Sequence, residues 1–154
     1  MVLSWGKPKL EIKKLGVTPG AWVELPIPVE DTTNMNTEKG EKKEAKEEGG
    51  GLVDAMYKKS KYSLVFELFA KKDDKKPIED IDGIVLDNYA IRLTPEDITV
   101  QGYLIDKANV SVVDKWSSAD GGRIEYTFDA LTPDDGSKIV KRHIDGEIFD
   151  EDKL

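Results

Sequence analysis

The sequence predicts a mainly β protein, either a small antiparallel β-barrel or a β-sandwich, with a long flexible charged loop and little helix. Apolar and polar residues alternate over several short segments, the pattern of strands with one buried face. Clusters of Gly, Pro, Asn and Asp separate these segments. The only segment that could form helix is "KKDDKKPIEDIDG", which has space for a single helical turn after Pro77. We expect eight or nine short strands in one domain over residues 1–154.

The composition excludes several classes of function. The net charge of −8 argues against general affinity for DNA, whose phosphates require clustered Lys and Arg. The chain has no Cys, which excludes disulfides, thiolate zinc sites and cysteine nucleophiles. No apolar run approaches the roughly 20 residues that a membrane span needs, so we expect a soluble protein that does not bind membranes.

The first predicted element is a hairpin. Residues 9–15 and 21–25 alternate in polarity, and "GVTPGA" between them supplies turn residues. Pro26 and Pro28 cannot donate ladder hydrogen bonds, so the strand should end there and a loop begin.

A flexible loop is expected at about residues 31–51, and it contains the nearly pure charge run at 38–48. This run buries too little apolar surface to offset its own ordering entropy, so it should stay mobile until a partner orders it. Three consecutive glycines then act as a flexible joint. The residues singled out in this segment are Glu41, Lys42, Lys43, Glu44, Lys46, Glu47, Glu48, Gly49, Gly50 and Gly51.

The rest of the chain supplies the predicted body. Residues 61–70 read as a strand with Leu64, Phe66 and Leu68 on one face, and "NYAIRLTPED" returns to period two. "VQGYLIDK" and "ANVSVVDKW" read as two further strands, followed by the turn "SSADGG".

The clearest alternation comes at 123–131, where the apolar side chains of "RIEYTFDAL" should face inward. "SKIVKRHI" is then expected to form an edge strand before an acidic C-terminal tail from about residue 145.

No catalytic, cofactor-binding or metal-binding residue is assigned. The acidic loop at 73–82 lacks the ligand order of an EF-hand, so its carboxylates are interpreted as solvated turn residues. The sequence has no serine in an elbow motif for which His143 could act as general base, so His143 is interpreted as a surface residue. The three tryptophans are scattered among predicted strands and are interpreted as packing residues rather than as a ligand-stacking face. We therefore expect a protein that is not an enzyme and has no cofactor.

Residues 52–131 resemble the tail tube proteins of bacteriophages, a group that includes the Hcp ring protein of type VI secretion. The resemblance lies in the order of a charged loop ending in glycines, "YSLVFELFA", "NYAIRLTPED", the doublet "VQGYLIDKANVSVVDKW" and the closing "RIEYTFDAL". Members of the family usually have a clear helix before the strand that matches 88–94, and here "KKPIEDID" allows little more than one turn.

The resemblance implies subunits that join into a ring, expected to be hexameric, and rings that stack into a tube around a lumen. It implies that residues 31–60 form an assembly arm ordered by neighbouring subunits, and that the ten residues named above belong to it. The expected partners are copies of the chain and other tail proteins, in the virion tail and, during assembly, in the host cytoplasm. A net charge of −8 suits an acidic lumen that does not hold DNA.

Two other functions remain open on the sequence. One is a β-sandwich binding module that recognises a protein or carbohydrate partner through aromatic residues, with the loop as an ordinary linker. The other is a small carboxylate enzyme. Rings or tubes in negative-stain microscopy would separate the tube subunit from both.

Overall fold

The computed structural model describes residues 6–16, 21–70, 76–96, 101–144 and 147–149. Within these residues the chain forms eleven strands, all paired antiparallel, and no helix, so the prediction of a mainly β fold is confirmed. The strands are β1 (Lys9–Lys14), β2 (Val23–Glu24), β3 (Asn34–Glu38), β4 (Lys42–Lys46), β5 (Leu52–Tyr57), β6 (Lys61–Phe69), β7 (Tyr89–Thr94), β8 (Gly102–Ser117), β9 (Gly121–Ala130), β10 (Val140–Ile144) and β11 (Glu147–Phe149).

The body is a nine-stranded sheet in the order β2-β1-β7-β8-β9-β6-β3, with β10 also on β8 and β11 on β10. The long strand β8 belongs to both halves of this sheet, one half containing β7 and β10 and the other containing β9. Its first part, through Ala108, pairs with β7 and β10, and the part from Ala108 to Ser117 pairs with β9. The sheet is not a closed barrel.

A bulge in β8 lets its two parts contribute to the same core. Ile91 of β7 lies opposite Ile105, whereas Tyr89, two residues away, lies opposite Ala108, three residues away. The extra residue brings Ile105 and Ala108 to the same side, and a bulge of this kind also bends a strand. The prediction of two separate strands here was wrong, because the bulge lets one strand continue without a turn.

The inward side chains of both halves form a single apolar cluster, as expected of two layers packed face to face. Phe66 lies at its centre, fully buried, with ring centroids 5.7 Å from both Tyr126 and Phe128. The arrangement is sandwich-like, and of the two predicted architectures the sandwich is the one observed.

Most of the predicted strands of the body are present. The first hairpin forms as β1 and β2, the segments predicted at 61–70 and 123–131 form β6 and β9 with the expected inward faces, and "SKIVKRHI" contributes β10. The acidic tail predicted from about residue 145 contains β11, which pairs with β10, and its other residues lie outside the described ranges.

The helical turn predicted after Pro77 is absent, and a tight β-turn stands in its place. Ile81 and Ile84 pair across Asp82 and Gly83, whose φ angles are 53° and 86°. Two central residues with positive φ are typical of a type I′ hairpin turn, which favours Asp-Gly. Asp73 and Asp74, in the acidic loop, lie outside the described residues.

Candidate functional site: a projecting β-hairpin

The segment predicted as a long loop is largely β structure. β3 pairs along its whole length with β6, from Asn34 opposite Val65 to Glu38 opposite Lys61, and Met35 packs against the core. β4 then pairs with β5 in a separate two-stranded sheet. The loop prediction was wrong because the partner strand of the charged run lies after the glycines, so the run on its own carries no sign of pairing.

The residues singled out from the sequence lie together in this hairpin. Glu41 precedes β4, and Lys42, Lys43, Glu44 and Lys46 lie within it. The remaining five, Glu47, Glu48, Gly49, Gly50 and Gly51, form the tip between the two strands.

The glycines turn the chain at the tip rather than joining the arm to the body. Gly49 and Gly50 have φ angles of 90° and 89°, a region that residues with a Cβ rarely adopt. The Glu47 N–H donates to the Gly51 carbonyl at 2.9 Å, and the Gly50 N–H donates to the Glu47 carbonyl at 3.1 Å. The predicted joint at these glycines was therefore wrong.

The base of the hairpin is at Gly40. The pairing of β3 with β6 stops at Glu38, and the pairing of β4 with β5 starts at Lys42. Between them the Lys58 carbonyl lies so close to Gly40 that a Cβ there would overlap it. The Lys58 N–H donates to the Glu41 carbonyl at 2.9 Å and closes the base.

The hairpin β4–β5, which we call the arm, projects from the body. Every residue of both strands is exposed. Strands of this length extend roughly 17–20 Å. The arm thus has surface on all sides and no core of its own.

The two strands of the arm differ sharply in chemistry. β4, "KKEAK", is mostly charged, and Glu44 pairs with both Lys42 at 2.9 Å and Lys46 at 3.6 Å. β5, "LVDAMY", exposes four large apolar side chains, with exposed fractions of 56% for Leu52, 66% for Val53, 62% for Met56 and 54% for Tyr57. Sequence reasoning missed β5, although glycines between a charged run and an apolar run are a hairpin signal.

Charged pairs elsewhere hold the sheet together. On the outer face, Lys115 bridges Glu67 at 2.9 Å and Glu125 at 2.5 Å, which raises the pKa of Lys115 to about 12 and lowers that of Glu67. On the other half of the sheet, Arg92 donates two hydrogen bonds, of 3.0 and 2.8 Å, to the nearly buried Glu11. The Arg92 and Glu125 contacts join neighbouring strands, whereas the contact of Lys115 with Glu67 crosses β9 to reach β6, and all of them tie strands of the sheet together.

The described residues of the body line a groove and a smaller depression, among others. A groove of about 1150 Å³ lies between the segments around Lys7, Ile27 and Tyr103, and a smaller one of about 490 Å³ lies beside Phe69 and the exposed Trp116. Within the described ranges, no three His, Cys, Asp or Glu side chains converge as a metal site would need.

No protein-family model matches this sequence, and the search of curated proteins found no relative. The part of the chain that the structure describes has no helix long and apolar enough to span a membrane.

Proposed function

We propose that the protein is a structural, self-assembling subunit, and that the arm joins one copy to the next. The observation that carries this proposal is the row of apolar side chains on β5, exposed on a hairpin that packs on no core. An isolated two-stranded hairpin is marginally stable in water, so an arm of this kind gains its stability from a partner.

The edges of the arm indicate which strand would bind. Lysines on an edge strand hinder pairing with another chain, and β4 has three of them among its five residues. β5 has a single charged residue, Asp54, and no strand of the described ranges pairs with its outer edge. A long apolar edge of this type is a site for strand addition.

The resemblance to tail tube proteins supplies the form of the assembly. We propose stacked rings, hexameric as in that family, around an acidic lumen in a phage or prophage tail. An arm that binds a different surface on the next copy is a heterologous contact, and such contacts close into rings or continue as filaments. The partners would be further copies of the chain and other tail proteins, with no specific binding of nucleic acid.

The test is removal of the arm. Residues 42–57 are replaced by a short Gly-Ser turn, which the neighbouring Glu41 and Lys58 can accept because they are already joined by a hydrogen bond. We expect rings or tubes from the intact chain in negative stain and sedimentation velocity. The arm-deleted chain should remain monomeric, with a thermal unfolding midpoint nearly unchanged.

The cut must spare β3, because residues 34–38 pair with β6 and belong to the body. As a matched control, Glu47 and Glu48 at the tip are both changed to Gln, which removes charge but keeps β5. This control should assemble. An intact chain that stays monomeric at high concentration, or unimpaired assembly without the arm, would refute the proposal.

The alternative function is a binding module for a protein or carbohydrate partner. The groove of about 1150 Å³ favours it, because Arg142 stacks on Tyr103 at 4.7 Å along its wall. Ligand binding by such a module would survive deletion of the arm. A glycan array probed with the intact and arm-deleted chains separates the two functions.

A further inference from the structure

A second exposed apolar surface lies on the body, at the type I′ turn. It consists of Ile81, Ile84 and Val113, with exposed fractions of 66%, 63% and 48%, and we call it the ridge patch. Leu86, at 82%, follows shortly after it in the chain. Large apolar side chains grouped on a surface mark interaction sites more often than single ones do.

The backbone pairing places the three side chains on one face. Ile84 pairs with both Ile81 and Ser111, and the Val112 N–H donates to the Gly83 carbonyl at 3.2 Å. Directly paired residues point to the same side of a sheet, and so do residues two apart in a strand. Val113 therefore shares the face of Ser111, Ile84 and Ile81.

The patch lies beside an open strand edge. Beyond Val112, the residues of β8 pair with β9 on one side, and the described part of the chain supplies no strand on the other. An added strand would find backbone groups to pair with here and apolar side chains to cover.

The turn that forms the patch is held rigidly. Asp80 accepts hydrogen bonds from the Gly83 N–H at 2.8 Å and from the Lys76 ammonium at 2.9 Å. Ile78 is buried, and the Tyr126 hydroxyl donates to its carbonyl at 3.3 Å. A surface that is already ordered loses little entropy when it binds.

The acids around the ridge patch complement the lysines of β4, one strand of the arm. Glu79 and Asp82 are exposed beside the patch and form no ion pair with any described residue. The lysines of the arm are concentrated on β4, where Lys42 and Lys46 share the carboxylate of Glu44 and Lys43 pairs with no acidic residue in the described ranges. The other acids of the hairpin lie at its tip, as Glu47 and Glu48, and on β5, as Asp54. Acids beside the ridge patch and the lysine-rich strand β4 favour association and fix its register.

We infer that β5 of one copy docks on the ridge patch of a second copy, with the arm lysines facing Glu79 and Asp82. This inference rests on the proposed self-assembly and names its acceptor surface. Donor and acceptor lie on different parts of the chain, so each copy offers one of each and the contact propagates from subunit to subunit.

Disulfide trapping tests the contact cleanly because the chain has no Cys. Two single-cysteine variants, Met56→Cys on the arm and Ile84→Cys on the ridge patch, are mixed under assembly conditions and oxidised with diamide. The expected product is a covalent heterodimer, and the double variant should give a ladder of covalent oligomers. The control replaces Ile84→Cys by Val23→Cys, a site on β2 with a similar exposed fraction of 57%.

A charge exchange gives a second measurement. Glu79→Lys should raise the concentration needed for assembly about two- to five-fold, the range expected for one exposed ion pair, and adding Lys43→Glu to the same chain should restore it. Assembly with cross-links to the Val23 site, or equal yields at both sites, would overturn the ridge assignment and leave the proposed function intact. Absence of assembly by the unmodified chain would overturn both.

Discussion

Truncation of Leu52 to Ala measures how much the arm contributes to assembly. The change removes three carbon atoms, each contributing about 0.8 kcal/mol when fully buried. Since 56% of the residue is exposed in the single subunit, somewhat more than half of that contribution is still available to a partner. If the contact buries it completely, Leu52→Ala weakens each subunit contact by about 1.3 kcal/mol. This corresponds to a rise of about ten-fold in the critical concentration.

The assay is sedimentation velocity over a concentration series, with thermal unfolding of the dilute monomer measured in parallel. The control is Ile27→Ala, which truncates an apolar side chain of similar exposure, 60%, on the body. Leu52→Ala should shift the assembly curve and leave the unfolding midpoint unchanged, whereas Ile27→Ala should leave the assembly curve in place. Equal shifts from both variants, or no shift from Leu52→Ala, would refute the assignment of the contact to β5.

The remaining predictions concern stability and charge. Phe66→Ala empties the centre of the core and should lower the free energy of unfolding by about 3–5 kcal/mol in urea titrations. Asp80→Asn should cost about 1–2 kcal/mol at pH 7. Hydrogen bonds from Lys76 and the Gly83 N–H lower the pKa of the Asp80 carboxyl, so this difference should fade as pH falls below about 4, and a difference that persists at pH 2 would contradict it. Arg92→Met takes the guanidinium from the nearly buried Glu11 and should cost about 2 kcal/mol, whereas the double variant Glu11→Leu/Arg92→Met should recover most of it, as a double-mutant cycle would show. Fluorescence anisotropy with duplex DNA should detect no binding at physiological salt, and micromolar affinity there would contradict an acidic lumen.

The body was predictable because its strands are amphipathic one by one. In β9, Ile124, Tyr126 and Phe128 alternate with polar residues, so the local pattern alone identifies both the strand and its buried face. The bulge in β8 was not predictable, since it depends on how β7 pairs with Ile105 and Ala108 and leaves no change in composition.

The candidate site was found in part. Its charged strand and its glycines stood out by composition, but β5 was not identified as its partner strand. A hairpin exposed on both faces has no inward side, and hence no alternation to reveal it. The ridge patch was not predicted from the sequence. Its segment is rich in acidic residues and was interpreted as solvated turn residues with room for one helical turn, whereas the Asp82-Gly83 pair is a hairpin signal.

The sharing of β8 between the two layers has a consequence for how the body unfolds. Both layers contain part of β8 as an inner strand. If either layer unfolds, the other layer loses a neighbouring strand and their common core is exposed to water. The body should therefore melt as one cooperative unit, with amide protons of β8 on both sides of the bulge exchanging at the same slow, globally limited rate. The arm takes no strand from that segment, so its amides should exchange many orders of magnitude faster than those of β8 in the single subunit.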